Sequence, residues 1–183
     1  MTHDGLGAPA VVVLVGTDHH PFHRICRWVD DWLTTRADGT QCVMQVGTSN
    51  APAHAEWFTS LPHSEVQQLI RSATAVVSHA GPATIMDCLQ AGVRPIVVPR
   101  RHDMGEHVDD HQVLFGRKFA DRGMLWLAES RESLAQLLDR AVADPMTVRV
   151  RATVGDQDTV ARFGTQVSQL ETRTRRVWRT AAR

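Results

Sequence analysis

Short apolar runs alternate with amphipathic stretches of helical period along most of the chain. AVVVLV, Ala10 to Val15, is rich in β-branched residues and stops at Gly16, the pattern of a strand buried on both faces. Phe22, Ile25, Cys26, Val29, Trp32 and Leu33 then recur at three- and four-residue steps, which predicts an amphipathic helix. QCVMQV (Gln41 to Val46) reads as a second strand and EWFTSL (Glu56 to Leu61) as a short third. A helix from His63 to Ala73 follows, with Val66, Leu69 and Ile70 on one face. AVVSH (Ala75 to His79), a helix from Pro82 to Ala91, RPIVVPR (Arg94 to Arg100), a helix from about Glu106 to Arg122, MLWLA (Met124 to Ala128) and a helix from Arg131 to Ala143 complete the series.

Strands that alternate with helices need crossover connections, and these produce a parallel sheet covered on both faces. The expectation is a single α/β, Rossmann-like domain over residues 1–144. Ligands of such sheets bind beyond the carboxyl ends of the strands, so the loops after Val15, Val46, Ser78 and Val98 should meet at one crevice. Pro145 ends the pattern. Residues 145–183 read as a helical tail with Val160, Phe163, Val167 and Leu170 on one face. Its end gathers Arg173, Arg175, Arg176, Arg179 and Arg183 around Trp178, which suits an acidic partner, a membrane surface or a solvated terminus.

Composition narrows the options. With 183 residues, 43% of them hydrophobic, the chain can fill one core but not two. Twenty basic residues balance twenty acidic ones, so no overall field favours nucleic acid. Cys26, Cys42 and Cys88 are odd in number and sit in apolar segments, as buried thiols of a reducing compartment do. The amino terminus lacks the basic start and long apolar stretch of a signal peptide, so the expected location is the cytoplasm.

The strongest local signal is VVSHAGPATIMDCLQAG, where a buried strand runs through His79, Ala80 and Gly81 into a helix that starts at Pro82. Proline suits the first helical position because its missing N–H had no partner there anyway. The free backbone N–H groups of that helix start, and its positive dipole end, would face the crevice and favour a diphosphate. Gly81 should allow close approach, Thr84 adds a hydroxyl, and Asp87 lies one turn on, where ribose hydroxyls need an acceptor. In the first loop His19 and His20 are candidate bases, since a neutral imidazole takes up protons near working pH. Trp28 and Trp32 on the first helix read as core.

HAGPATIMDCLQAGVRPIVVPR followed by GEHVDDHQ resembles the carboxy-terminal domain of the family 28 glycosyltransferases, the group that includes MurG. VGTDHHPFHR is similar to a single-domain subset, the catalytic subunits of dolichol-linked and PssE-type exopolysaccharide synthesis. The likeness runs over residues 11–140 and keeps the order and spacing of four separated loops. It implies half of a GT-B fold, with UDP-sugar as substrate and no metal or other cofactor. Gly16, Thr17, His79, Ala80, Gly81, Ala83 and Thr84 would surround the donor diphosphate, and Asp87 stands where the family usually has a ribose-binding Glu. The segment Phe58 to Pro62, with Phe58 and Leu61, would pack on the uracil, Arg100 would precede the sugar-facing loop, and His111 and Gln112 match the family's HQ pair near the sugar and phosphates. Ala83 replaces a common second glycine, a change the helix tolerates.

Members of the MurG kind close two such domains over the substrate, and this chain has room only for the donor half. The resemblance therefore implies a membrane-anchored partner subunit that brings a lipid-linked saccharide acceptor and holds the chain against the inner face of the plasma membrane. Two rivals remain. A metal-dependent hydrolase would use His102, Asp103, Glu106, His107, Asp109, Asp110 and His111, although no fixed ligand spacing is present among them. A non-catalytic nucleotide-sugar-binding regulatory subunit would use the same crevice without transfer.

Overall fold

The computed structural model describes residues 9–151. The expected tail helix and the Arg-rich end around Trp178 lie outside the described residues. Within them, a six-stranded sheet is formed by β1 (Val11–Leu14), β2 (Cys42–Gln45), β3 (Glu56–Phe58), β4 (Ala75–Ser78), β5 (Ile96–Val97) and β6 (Trp126–Leu127). Every pairing is parallel and the order is β3-β2-β1-β4-β5-β6. Five helices intervene: α1 (His23–Leu33), α2 (His63–Ser72), α3 (Pro82–Gln90), α4 (His111–Ala120) and α5 (Arg131–Ala143). The doubly wound α/β arrangement expected from the alternation is thus the observed one.

The two-residue side-chain period of the strands divides the core. Val11, Val13 and Val15 join Met44, Ala75, Val77 and Ile96 under α1 and α5, which contribute Ile25, Val29, Leu134 and Leu138. Val12, Leu14 and Val76 point the other way, onto Leu69, Ile70 and Cys88. Val97 joins Ile85, Leu89, Phe115 and Phe119 in a third cluster between α3 and α4. Burial on both faces explains why the strands read as continuous apolar runs rather than alternating ones. Trp32 is core as expected, and its indole N–H also donates to Asp139 at 2.9 Å. All three cysteines are buried and free, and burial pushes the Cys26 thiol up to about 11.

Three elements depart from the sequence pattern. The strands are shorter than the apolar runs, because their last residues turn into the crevice loops. The helix expected from Glu106 begins at His111: Gly105 takes a left-handed φ of 68°, and Glu106 is drawn inward by an ion pair instead of opening a helical turn. The packed body also runs past Asp144. Val148 is fully buried in the core, and its carbonyl accepts from the Arg94 N–H at 2.7 Å, while the Val150 N–H donates to the Gly92 carbonyl at 3.0 Å. Among the described residues no helix is long and apolar enough to cross a membrane.

Candidate functional site

Strand order reverses between β1 and β4, and a crevice at such a switch point is where open α/β sheets hold their ligands. The loop after β1 turns at Gly16, whose φ of 82° is one that side-chain-bearing residues rarely adopt. The buried amide of Gln45 at the end of β2 holds this turn. Its oxygen accepts from the Gly16 N–H at 3.2 Å, and its nitrogen donates to the carbonyls of Gly16 at 3.0 Å and Thr59 at 3.2 Å. Thr17 is exposed beside the turn.

After β4, Ala80 is buried and Gly81 is the cap of α3, with Pro82 in the first turn. Gly81 brings no side-chain cap to this helix, and the leading N–H groups carry the positive end of its dipole. Ala83 is exposed there and Thr84 half-buried. Gly81 also has a structural reason to lack a side chain. A Cβ on Gly81 would lie 2.0 Å from His79 Nε2, and one on Gly16 would lie 2.6 Å from the same ring, so the missing side chains make room for the His79 imidazole. Burial, helped by the Arg100 charge, pushes His79 down to about 4, which keeps the ring neutral.

Arg100 is fully buried. Its guanidinium donates to the carbonyls of Val15 at 2.8 Å, His20 at 2.7 Å and Glu106 at 2.9 Å, and lies over the Phe22 ring at 4.8 Å. It therefore ties the loop after β1 to the loop after β5, with its charge spent on backbone carbonyls and none of it presented at the surface. A second buried cation completes the junction. Arg24 on α1 makes a two-pronged pair with Glu106 at 2.8 and 2.7 Å and also donates to the Pro99 carbonyl at 2.8 Å, and the two side chains are only 8% and 6% exposed. Gln112 is buried as well. Its side-chain oxygen accepts from the N–H groups of Ala80 and Arg100, each at 3.2 Å, so it clamps the loops after β4 and β5 together.

The histidines fall into an order that the sequence did not announce. His19 is 85% exposed, whereas His20 is 24% exposed and its Nδ1 meets Asp18 Oδ1 at 2.7 Å, with the His20 N–H on the same oxygen at 2.8 Å. Asp109 and His111 repeat this Asp-x-His geometry at the start of α4, the ring and the N–H of His111 both meeting Asp109 Oδ1. His107 lies between the two units, with Nε2 3.4 Å from Asp18 Oδ2 and Nδ1 3.4 Å from Asp109 Oδ1. Burial raises the Asp18 carboxyl, but hydrogen bonds from His20 and the charges of Arg100 and His107 outweigh it and hold the group below its ordinary range.

Other candidates are placed apart from this group. Phe58 and Leu61 are half-buried against the cluster of Val12, Leu14 and Leu69 at the β2 and β3 edge. Asp87, on α3, is engaged by His63 Nε2 at 2.9 Å. Of the seven residues that resembled a metal cluster, His107, Asp109 and His111 converge. Glu106 is committed to Arg24, Asp103 to Arg101 and Asp110 to the His102 N–H. Asp18, Gln45, Arg24 and His63 were not singled out from sequence. The repeated Asp-x-His spacing, Asp18 to His20 and Asp109 to His111, was the available signal for the first.

Residues 10–163 match the family model described as the glycosyltransferase family 28 C-terminal domain. The chain is 28% identical over 121 residues to the UDP-N-acetylglucosamine--N-acetylmuramyl-(pentapeptide) pyrophosphoryl-undecaprenol N-acetylglucosamine transferase of Paracidovorax citrulli, a match covering 64% of this chain and 33% of that protein. It is 35% identical over 79 residues to the UDP-N-acetylglucosamine transferase subunit ALG13 of Kluyveromyces lactis, covering 42% of this chain and 38% of that one. The chain thus matches 33% and 38% of the length of these curated relatives. Among solved structures, Acinetobacter baumannii MurG superposes with a TM-score of 0.51 at 18% identity over 87% of this chain and 51% of its own. The glycosyltransferase of kitacinnamycin gives 0.57 at 18% identity over 76% and 36%. At these identities the likeness establishes the fold.

Two outcomes are expected of the buried charges. Arg24→Met and Glu106→Leu should each lower the unfolding free energy by about 3–5 kcal/mol, because each strands a buried partner, and the double variant should lose much less than the sum. Additive losses in urea titrations would contradict the pairing. His79 acts through pH: the unfolded imidazole takes up its proton near 6.5, the folded one only near 4. Stability that is complete above the higher value is therefore lost as pH falls to the lower one, by up to about 3 kcal/mol. His79→Gln should flatten that slope, whereas Asp18, Asp30 and Asp109, held below the ordinary carboxylate range, act only in more acidic solution. An unchanged slope in the variant would disprove the assignment.

Proposed function

The chain belongs to glycosyltransferase family 28 through its C-terminal domain, and on that footing we propose that it binds a UDP-sugar at the start of α3 and transfers the sugar with the help of a second subunit. The observation that carries this reading is the uncapped, proline-led N-terminus of α3 at the switch point of the sheet. A diphosphate there receives backbone N–H groups and the helix dipole, which also stabilise the charge that grows on the leaving UDP. Thr84 adds a hydroxyl, Asp87 accepts from the ribose once His63 yields, and Phe58 and Leu61 flank the base. Arg100 and Gln112 serve by fixing the loops, and His79 contributes as a neutral ring.

The reaction proposed is an inverting displacement. The acceptor hydroxyl loses its proton to Nε2 of His20, its oxygen bonds to the anomeric carbon, and the bond from that carbon to the UDP oxygen breaks. No metal is required. His20 is preferred to His19 because Asp18 holds its ring and leaves Nε2 bare. The relative from Kluyveromyces lactis is named as a subunit, and that supports a partner that supplies the acceptor side. We place the pair at the inner face of the plasma membrane, with the membrane anchor in the partner and a lipid-linked saccharide as acceptor.

Calorimetry with UDP tests the donor half: the chain alone should bind UDP, and Asp87→Ala should weaken it about tenfold, the worth of one hydrogen bond to a charged group. Unchanged affinity removes Asp87 from the site. Co-expression with a membrane-anchored partner and assay against a panel of UDP-sugars and membrane lipids tests the transfer. Binding without transfer in that assay would favour the regulatory subunit.

A further inference from the structure

We propose that His107, Asp109 and His111, where the loop after β5 runs into α4, form a binding site for a divalent transition-metal ion of the zinc class. The site lies beyond the transfer reaction proposed above, in which no metal takes part, and does not depend on it. Each of the three side chains offers one ligand atom, and these atoms all lie within 4.8 Å of one another. A tetrahedral ion with bonds of about 2.0–2.1 Å to nitrogen and oxygen sets its ligands roughly 3.4 Å apart. His107 Nδ1 and Asp109 Oδ1 already stand at 3.4 Å, long for a hydrogen bond and suited to two ligands of one ion. The Asp109 N–H reaches the same nitrogen only at 3.4 Å, so its lone pair is weakly engaged. The His111 ring meets the same carboxylate oxygen, and an ion takes the place of the proton between them. Two imidazoles and one carboxylate select zinc, cobalt or nickel over magnesium and calcium, which prefer oxygen ligands throughout.

The backbone that carries these ligands is held at both ends. Glu106, one residue before His107, is buried and paired with Arg24. Gln112, one residue after His111, is buried and accepts from the N–H groups of Ala80 and Arg100. The ligands are therefore in place before an ion arrives, and little ordering is left to oppose binding. The side chains of His107, Asp109 and His111 are 13%, 22% and 30% exposed, sheltered yet reachable from solvent. The His111 N–H donates to Asp109 Oδ1 at 3.1 Å and so fixes the carboxylate. Behind His107, Asp18 Oδ2 lies 3.4 Å from Nε2, a charge contact that sets a carboxylate on the far side of an imidazole ligand, as metal sites commonly do. Three protein ligands leave a fourth position open to water.

The untagged full chain, freed of metal with a chelator, should bind one zinc ion per chain in calorimetry and melt at a higher temperature with zinc present. Magnesium at the same concentration should do neither. Asp109→Asn and His111→Ala should each weaken zinc binding about tenfold or more, whereas His54→Ala, which removes an exposed imidazole outside the site, should leave it unchanged. Diffraction from crystals soaked in zinc, recorded at the zinc absorption edge, should place the ion on His107, Asp109 and His111. The proposal is overturned if zinc does not bind stoichiometrically, if its affinity survives both substitutions, or if the ion sits on other side chains. Should His111→Ala fail to fold, Asp109→Asn and the anomalous map decide. UDP binding by the metal-free chain tests the donor site separately, so neither reading falls with the other.

Discussion

The crevice depends on two buried arginines, Arg24 and Arg100. Taking such groups out of solvent costs several kcal/mol each, and only dense pairing offsets it. Arg100 meets three carbonyls from two loops, and Arg24 meets the carboxylate of Glu106 and the carbonyl of Pro99. Because these contacts form only when those loops lie together, the loops after β1 and β5 behave as one piece, although Nε of Arg100 is left without a partner. Gln112 extends the piece to the loop after β4 through its oxygen on the Ala80 N–H. The start of α3, the His79 ring and the Asp18–His20 unit are all carried on this junction.

A buried ion pair is a poor source of stability and a good source of a fixed arrangement. That distinction suits a site in which the binding elements are backbone N–H groups, whose aim cannot be adjusted by rotating a side chain. It also gives Arg100 a different part from the one its position in the chain suggests. At the end of a strand it stands just before the expected sugar-facing loop, yet its guanidinium is fully covered and its partners are carbonyls. The neutral state of His79 follows first from its burial and then from the same proximity, since a second positive charge beside Arg100 is unfavourable.

The sheet was legible because strands buried on both faces write themselves as β-branched runs, and because helices with one apolar stripe separate them. Val11 to Val15 and Ala75 to Ser78 could be placed from their β-branched runs, and their parallel direction followed from the alternation. The loops were legible in part. Pro82 marked the helix start, but nothing in the sequence showed that the His79 ring also requires Gly81 to lack a side chain. Glu106 looked like a helix opener because acids favour that position, and no local pattern reveals that Arg24, far away in sequence, would draw it inward. Gln45 and Asp18 escaped notice for the same reason: each acts across a gap between segments, which periodicity does not encode. The paired Asp-x-His spacing was visible and carried more information than the count of histidines around it.

The central claim is that the start of α3 receives the diphosphate of a UDP-sugar. A crystal structure of the chain grown with UDP tests it most directly. The diphosphate should lie within hydrogen-bonding distance of backbone N–H groups between Gly81 and Thr84, facing Gly16. Nucleotide bound at any other surface, with those N–H groups left to solvent, would contradict it.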